Sequence, residues 1–453
     1  MKASDGVPLI RVEPPGPKAR EILERDSEVI MQSFVRWYPL VVKTAKGAVV
    51  EDVDGNLFID MNSGLAVLNV GHGHPKVVEA IKRQAEKLIH YSLTDFYYEE
   101  AVRAAEKLLG IAPVRPGKVF FSNSGAEAIE GTVKVARGYF KGGRQYVIAF
   151  LGAFHGRTMG ALSLTASKTV HRRGFSPLVP GVIHVPYPYP YRCPFKAETP
   201  EECGEAVLGY LEDWILTKLV DPSEVALVIL EPIQGEGGYI VPPDNFIPGL
   251  RRLTRKHGIL LAVDEVQSGM GRTGRWFAIE HWGVEPDLIA AAKGIAGGLP
   301  LGAIIGRSDV MSLPPGSHAT TFGGNPVALA AMEAVIEVIK TERLLERVER
   351  LGNEVLKYFS DLSSEIPLIG DVRGKGFMIG VELVRDRNTK EPASRELAEV
   401  LTKSFKRGVL VIGAGVSTLR IAPPLNIPED LLWKALDIVS DVLKEVQREH
   451  RIG

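Results

Sequence analysis

The sequence predicts an α/β protein with a mainly parallel β-sheet covered by helices on both faces, joined to a second, smaller α/β domain. Three observations carry this expectation. From about residue 75, short apolar runs alternate with helix-patterned segments, the signature of strands buried on both sides. A composition shift follows about residue 330, where long charged helices and new strand-like segments begin. The chain has 453 residues, more than one simple core accommodates.

The elements follow in order. A Pro-rich opening (Pro14, Pro15, Pro17) leads into a charged helix from about Ala19 to Met31. Val49–Val53 and Leu57–Asp60 flank Asp54-Gly55, a hairpin signal. The run DVDGN resembles the start of a calcium loop, but no glutamate falls at the twelfth position, so a hairpin turn is expected. Residues 76–91 and 126–140 carry helical spacing. Val119–Phe121, Tyr146–Phe150, Val225–Leu230, Ile259–Val263 and Leu288–Ala292 are strand candidates. A helix from near Val327 to Thr341, a further charged helix, strand-like Gly376–Val384 and Val409–Ile412, and a helix over Asp430–Glu449 complete the chain. The expected division is an N-terminal segment (1–75) packing with the small domain, a large domain (76–330) and a small C-terminal domain (331–453).

The charges nearly cancel, 54 basic against 55 acidic, which gives no electrostatic case for a nucleic-acid or membrane-surface partner. No apolar run is long enough to span a bilayer, and the opening MKASDGVPLI lacks the apolar core of a signal peptide. A cytoplasmic location is the resulting expectation. Cys193 and Cys203 are read as two structural thiols; a disulfide there would staple only a short loop, and zinc would need ligands the neighbourhood does not offer. Asn and Gln are scarce, about fifteen in all, while Glu, Lys and Arg abound, a balance seen in heat-adapted proteins.

Six segments carry chemistry, each with a plainer alternative. Ser122–Ala128 follows a strand and opens a helix, so small residues there let backbone N–H groups approach an anion; a simple helix cap is the alternative. Ala153–Thr158 offers Phe154 for stacking on a flat ring and Arg157 for a carboxylate, against a core aromatic and a surface charge. Asp264 ends an apolar strand, where burial calls for a cationic partner such as a protonated pyridine nitrogen; otherwise it caps the next loop. Lys293 ends another apolar strand, where desolvation lowers an amine's pKa and frees it for imine chemistry; otherwise it snorkels to solvent. Ala319–Pro326 is a Thr/Gly loop that could make a second phosphate contact. Arg420 sits in an otherwise apolar strand and needs an anion, either a structural glutamate, with Glu236 a candidate, or a substrate carboxylate.

Together and in this order, these segments resemble the class III aminotransferases of the fold-type I pyridoxal-phosphate superfamily. The resemblance runs from GLAVLNVGHGHP at 64–75 to LRIAPPL at 419–425, and the block from LAVDEVQSGMGRTGRWFA to AAKGIAGGLPLGA at 261–303 is its most diagnostic part. It implies a seven-stranded sheet in the large domain and pyridoxal 5′-phosphate as cofactor. Lys293 would be the Schiff-base lysine and proton carrier, and Asp264 would pair with the pyridine nitrogen. Gln267 would reach the ring hydroxyl, Phe154 and Val266 would pack on the two ring faces, and His155 would join the cofactor contacts. Ser124, Gly125 and Ala126 would hold the phosphate. Thr321 would reach the phosphate of a neighbouring subunit, so a homodimer is implied. Arg420 would bind the α-carboxylate of 2-oxoglutarate or glutamate, with Glu236 as its switchable partner. Arg157 would serve as a second carboxylate clamp, and Leu65 would lie near the substrate's distal end.

The implied reaction moves the amino group of an ω-amino acid (4-aminobutyrate, ornithine or lysine in type) to 2-oxoglutarate. Racemisation of an amino acid on the same fold is the serious rival. A nicotinamide enzyme is a distant one: Gly269–Gly274 matches G-x-G-x-x-G and follows a strand. The loop comes late in the chain, follows an acidic pair, and has neither a helix opening at once after it nor an acidic strand end about twenty residues on.

Overall fold

The computed structural model describes residues 6–452, so the first five residues of the opening stretch and Gly453 lie outside it. The chain divides into two compact units, residues 76–346 and residues 1–75 with 347–453.

The unit of residues 76–346 is built on a seven-stranded sheet. Its spatial order is Gly117–Ser122, Gly302–Arg307, Leu288–Ala291, Leu260–Asp264, Val225–Leu230, Tyr146–Phe150 and Val182–Val185. The last five pair in parallel. Gly302–Arg307 is the exception, antiparallel to both its neighbours. All six residues of Val225–Leu230 are buried, so neither face alternates in polarity. Val147, Ala149, Leu227, Ile229, Leu260, Ala262, Leu288 and Ala290 share one core with Ala128, Ile129, Val135 and Ala136 of the helix Gly125–Tyr139. The intervening residues Ile148, Phe150, Val228, Leu230, Leu261, Val263 and Ile289 are buried as well. Two covered faces are what the uninterrupted apolar runs require.

The strands Tyr146–Phe150 and Val225–Leu230 fall where the apolar runs place them. Two strands lack a sequence counterpart. Val182–Val185 is short and borders a proline-rich loop. Gly302–Arg307 follows the glycine-rich turn after Lys293 and runs against the βαβ rhythm. The helix expected over 76–91 ends at Lys87.

In the other unit, Val42–Lys46, Val49–Asp52 and Leu57–Asp60 form antiparallel pairs, and Val409–Leu410 joins in parallel beside Leu57–Asp60. The expected single strand Val409–Ile412 is divided: Ile412–Ala414 pairs instead with Thr418–Ile421 in a second sheet containing Met378–Asp386 and Ile369–Lys375. The DVDGN run makes a turn. The Asp52 carboxylate accepts from the Asn56 amide N–H at 2.8 Å and its side chain at 2.7 Å. Asp54 accepts from the Lys18 and Ala19 amides at 3.0 Å each, supplying the cap that Gly16 cannot give the helix Pro17–Val29. Both acidic side chains are therefore occupied, Asp52 within the turn and Asp54 at the start of the helix Pro17–Val29.

One expectation is corrected. Cys193 and Cys203 are not thiols but a disulfide, with Cα atoms 5.9 Å apart. Cys203 sits in the first turn of the helix Pro200–Gly209, fixed by a Thr199/Glu202 capping box, and Cys193 follows the short turn Pro190–Arg192. The loop doubles back and brings the two side chains into bridging range, a tertiary effect that cysteine count alone does not reveal. Closing so short a loop stabilises the fold by about 2–3 kcal/mol on a chain-entropy estimate. Cys203→Ser, or reduction, is therefore expected to lower the guanidinium unfolding midpoint; an unchanged midpoint with peptide maps showing two free thiols would contradict the bridge.

Candidate active site

The parallel strands deliver side chains to one edge of the sheet, where their carboxyl ends lie and where α/β proteins bind ligands. Tyr146–Phe150 ends just before Phe154 and His155, Val225–Leu230 just before Glu231, and Leu260–Asp264 on Asp264 itself. Leu288–Ala291 ends two residues before Lys293. Asp264 and Ala290 are register partners, so the aspartate and lysine leave adjacent strands.

Asp264 is 4% exposed and His155 is 2% exposed. His155 Nδ1 lies 2.7 Å from Asp264 Oδ2, and Asp264 Oδ1 accepts from the Val266 amide at 3.0 Å. Burial pulls the imidazole pKa down, but the hydrogen bond and charge of Asp264, aided by Glu231, outweigh it and leave it raised. His155 Nε2 is buried without a hydrogen-bond partner. The His155 amide donates to Thr165 Oγ1 at 2.9 Å, which fixes the loop from below.

Glu231, which the sequence reading passed over, belongs to the same group. It is 5% exposed, and its two carboxylate oxygens accept from the Phe154 and Gly235 amides at 2.8 Å each. Burial, then the charge of Asp264, push its pKa up to about 7. The signal was available: like Asp264, it is an acid directly after an all-apolar strand.

Ser124 caps the helix Gly125–Tyr139, accepting from the Glu127 amide at 3.2 Å. The first-turn amides of Gly125 and Ala126 are ones a helix cannot satisfy internally. A Cβ at Gly125 would lie 2.9 Å from Val266 Cγ1, so absence of a side chain keeps Val266 and the helix terminus close. Thr320 Oγ1 accepts from Asn123 Nδ2 at 3.0 Å, which holds the Thr/Gly loop beside this terminus, while Thr321 next to it is exposed. Gln267 is buried, with Oε1 lacking a hydrogen-bond partner. Lys293 has a left-handed backbone, φ 41°, a strained conformation for a lysine and one that clusters at functional sites.

Arg157 lies over the Phe154 ring, 5.5 Å from its centroid, and Phe154 meets His171 edge-on at 5.5 Å. Burial first, then Arg157 and Lys168, lower the His171 pKa, while Glu236 opposes them. Arg157 and Glu236 thus act electrostatically on the same imidazole. Leu65 and Arg420 belong to the other unit. Leu65 is 41% exposed within a left-handed turn, with φ of 47°, 61°, 70° and 59° over Ser63–Ala66. Arg420, buried in the strand Thr418–Ile421, donates from Nε to the Gly413 carbonyl at 2.8 Å.

The loop Gly269–Gly274 is buried and leads to a short 3₁₀ turn, Ala278–Trp282, whose first amides are held by Glu265. No helix N-terminus is there to receive a dinucleotide. Among the described residues no group of three or more His, Cys, Asp or Glu side chains could hold a metal ion, and no helix is long and apolar enough to cross a membrane.

Residues 31–443 match the family described as aminotransferase class-III. The chain is 40% identical over 444 residues to the alanine/serine racemase of Pyrococcus horikoshii, covering 97% of this chain and 93% of that one. It is 44% identical over 441 residues to the leucine/methionine racemase of Thermococcus litoralis, 96% and 98% of the two chains. The 4-aminobutyrate aminotransferase of Mycobacterium bovis is 40% identical over 441 residues, 96% and 97%. Among solved structures, an (S)-enantioselective omega-transaminase from Thermomicrobium roseum superposes with a TM-score of 0.87 at 32% identity, covering 94% of this chain and 99% of that one.

The chain belongs to the class-III aminotransferase family, whose members are enzymes that work with pyridoxal 5′-phosphate. The residues present fit that cofactor. A capped helix terminus suits its phosphate, a buried carboxylate suits a protonated ring nitrogen, and the unpartnered Gln267 Oε1 suits a ring hydroxyl.

Glu265, next to Asp264, shows how far burial acts here. It accepts from Ser268 Oγ, Ala278 N and Ile279 N, and burial still pushes it up to about 7 from 4.5. A carboxyl with a raised folded pKa stabilises the fold at low pH and loses that contribution as pH rises from about 4.5 to about 7. Glu265→Gln is expected to remove this group's share, on the order of 3 kcal/mol, from the stability difference between pH 4.5 and 7.5. Urea midpoints of both proteins at the two pH values measure it; equal pH slopes would contradict the assignment.

Proposed function

We propose that the protein transfers the amino group of an ω-amino acid, of 4-aminobutyrate, ornithine or lysine type, to 2-oxoglutarate and so forms glutamate. The observation that carries this reading is an exposed guanidinium, Arg157 over the Phe154 ring, and a half-buried carboxylate, Glu236, that both act electrostatically on His171. A clamp for a second carboxylate is what a donor with a distal carboxylate and a dicarboxylic acceptor require.

Bound pyridoxal phosphate supplies an electron sink for the carbon that carries the amino group. The chain's own residues do the rest. Lys293 would hold the cofactor, and its Nζ, once displaced by the substrate amine, would take the proton from the substrate carbon and deliver it to the cofactor carbon that had borne the lysine. Asp264, held by the His155 imidazole and the Val266 amide, would face the ring nitrogen and keep its proton in place. Gln267 Oε1 accepts from the ring hydroxyl, and Phe154 and Val266 hold the ring flat between them. The amides of Gly125 and Ala126, with Ser124, take the phosphate at a helix N-terminus. Arg420 binds the α-carboxylate of 2-oxoglutarate, Leu65 bounds the distal end of the substrate, and Glu236 sets the charge that a substrate carboxylate meets. Thr321 serves the phosphate of a second copy in a cytoplasmic homodimer, a reading supported by its exposure beside Phe322, itself 62% exposed.

A second reading has an observation in its favour: two relatives that match nearly the whole chain are named racemases. Racemisation would use the same Lys293, Asp264 and phosphate contacts and return the proton to the substrate's own α-carbon. The discriminating assay supplies 4-aminobutyrate, ornithine, lysine or leucine, each with and without 2-oxoglutarate, and follows glutamate and D-amino acid. Glutamate formed only with both partners is expected. D-Leucine without a keto acid, and little glutamate from any donor, would make the protein a racemase.

Two substitutions sharpen the test. Lys293→Ala is expected to lower turnover by about 10³-fold or more, since it removes the proton carrier. Arg420→Ala is expected to raise the apparent KM for 2-oxoglutarate by roughly 10–100-fold, the loss of a charged hydrogen-bonded pair; an unchanged KM would remove Arg420 from substrate binding.

A further inference from the structure

Phe154 and Glu236 lie in loops that follow two neighbouring strands, Tyr146–Phe150 and Val225–Leu230, and nothing in their sequence spacing makes them move together. Glu231 joins those loops. Each of its two oxygens takes one backbone N–H, from Phe154 in one loop and Gly235 in the other, at 2.8 Å each. Gly235 is followed at once by Glu236.

The join has further seams. Gln234 Nε2 donates to the Leu151 carbonyl at 2.9 Å, and a Cβ at Gly152 would lie 2.5 Å from Gln234 Oε1. Tyr187, leaving the strand Val182–Val185, donates to the Glu231 and Pro232 carbonyls at 3.1 Å each. Gly235 packs so closely on Gln267 that any side chain there would displace it. The Glu231 carboxylate also lies within electrostatic reach of His155 and Asp264. A carboxylate buried this far from solvent destabilises the fold unless its lone pairs are well used. Here they are spent on two amides belonging to two loops.

We propose that Glu231 is a positioning residue that couples the ring-facing side chain Phe154 to the Gly235–Glu236 turn, so that the cofactor's stacking face and the substrate-facing carboxylate are held in one fixed relation. This rests on the reading of Phe154 as the ring-stacking residue. Glu231 touches neither cofactor nor substrate and acts through the two amides.

Glu231→Gln preserves size but not symmetry: the amide oxygen accepts from one N–H, and the amide NH₂ opposes the other. The expected result is a folded protein whose visible circular dichroism from bound cofactor falls by about half or more. Its cofactor dissociation constant, from titrating the apoprotein, rises roughly tenfold, as loss of a buried hydrogen bond implies. Glu231→Asp keeps the charge, loses reach, and is expected to fall between the two. In steady state, the KM for the amino donor should rise more than kcat falls, because substrate registry is lost before proton transfer is. A folded Glu231→Gln protein with unchanged dichroism and cofactor affinity would overturn the proposal. Should that variant not fold, hydrogen exchange on the unsubstituted holoenzyme decides: slow exchange at the Phe154 and Gly235 amides is expected, and fast exchange at either would overturn it. The dichroism, affinity and exchange readouts need no substrate, so a protein that racemises instead of transaminating leaves them untouched.

Discussion

The contact on which the rest of the site depends is the 2.7 Å pair between His155 Nδ1 and Asp264 Oδ2, both nearly inaccessible to water. A carboxylate at the end of an apolar strand is expensive in isolation. It is tolerated because a histidine from the next-but-one strand's loop meets it and because the Val266 amide shares the load. Glu231 brings a second negative charge to the same edge. The result is a cluster of two acidic side chains and one imidazole, tied to backbone amides at the carboxyl edge of the sheet. The parallel sheet makes this possible, since adjacent strands end together and their loops start together.

Much of this was legible in the residues. Asp264 and Lys293 each have an ordinary alternative, a loop cap and a solvent-reaching lysine, and stand out only together with the other motifs; the structure brings them from neighbouring strands. Ser124-Gly125-Ala126 reads as a helix start and is one. Glu231 obeys the same rule as Asp264, an acid directly after an all-apolar strand, but its partners are backbone amides that no side-chain pattern announces. The disulfide escaped because it depends on a loop doubling back. Gly302–Arg307 escaped because its antiparallel course breaks the pattern that identifies the other strands. The left-handed turn at Ser63–Ala66 escaped because three of its four residues are not glycine, and such strain is set by surroundings and not by propensity.

Why relatives of near-equal identity bear the names of racemases and aminotransferases follows from the same physics. Holding the ring nitrogen, the phosphate and the ring faces serves either reaction. The outcome turns on where the proton is returned and on whether a second carboxylate can be bound, differences worth only a few kcal/mol in the transition state. On the proposed reading, such differences would reside in the loops that carry Arg157 and Glu236, after the strands Tyr146–Phe150 and Val225–Leu230. Global similarity is therefore weakly informative about them, and the charge arrangement near His171 carries more weight.

Lys293, at the end of its strand and beside that of Asp264, is the residue proposed to carry the cofactor. Borohydride reduction of the pyridoxal-phosphate-loaded protein, followed by proteolysis and mass mapping, tests it directly. One modified peptide is expected, with the pyridoxyl mass on Lys293. A label on any other lysine, or none on a protein that retains the cofactor's absorbance, would contradict it.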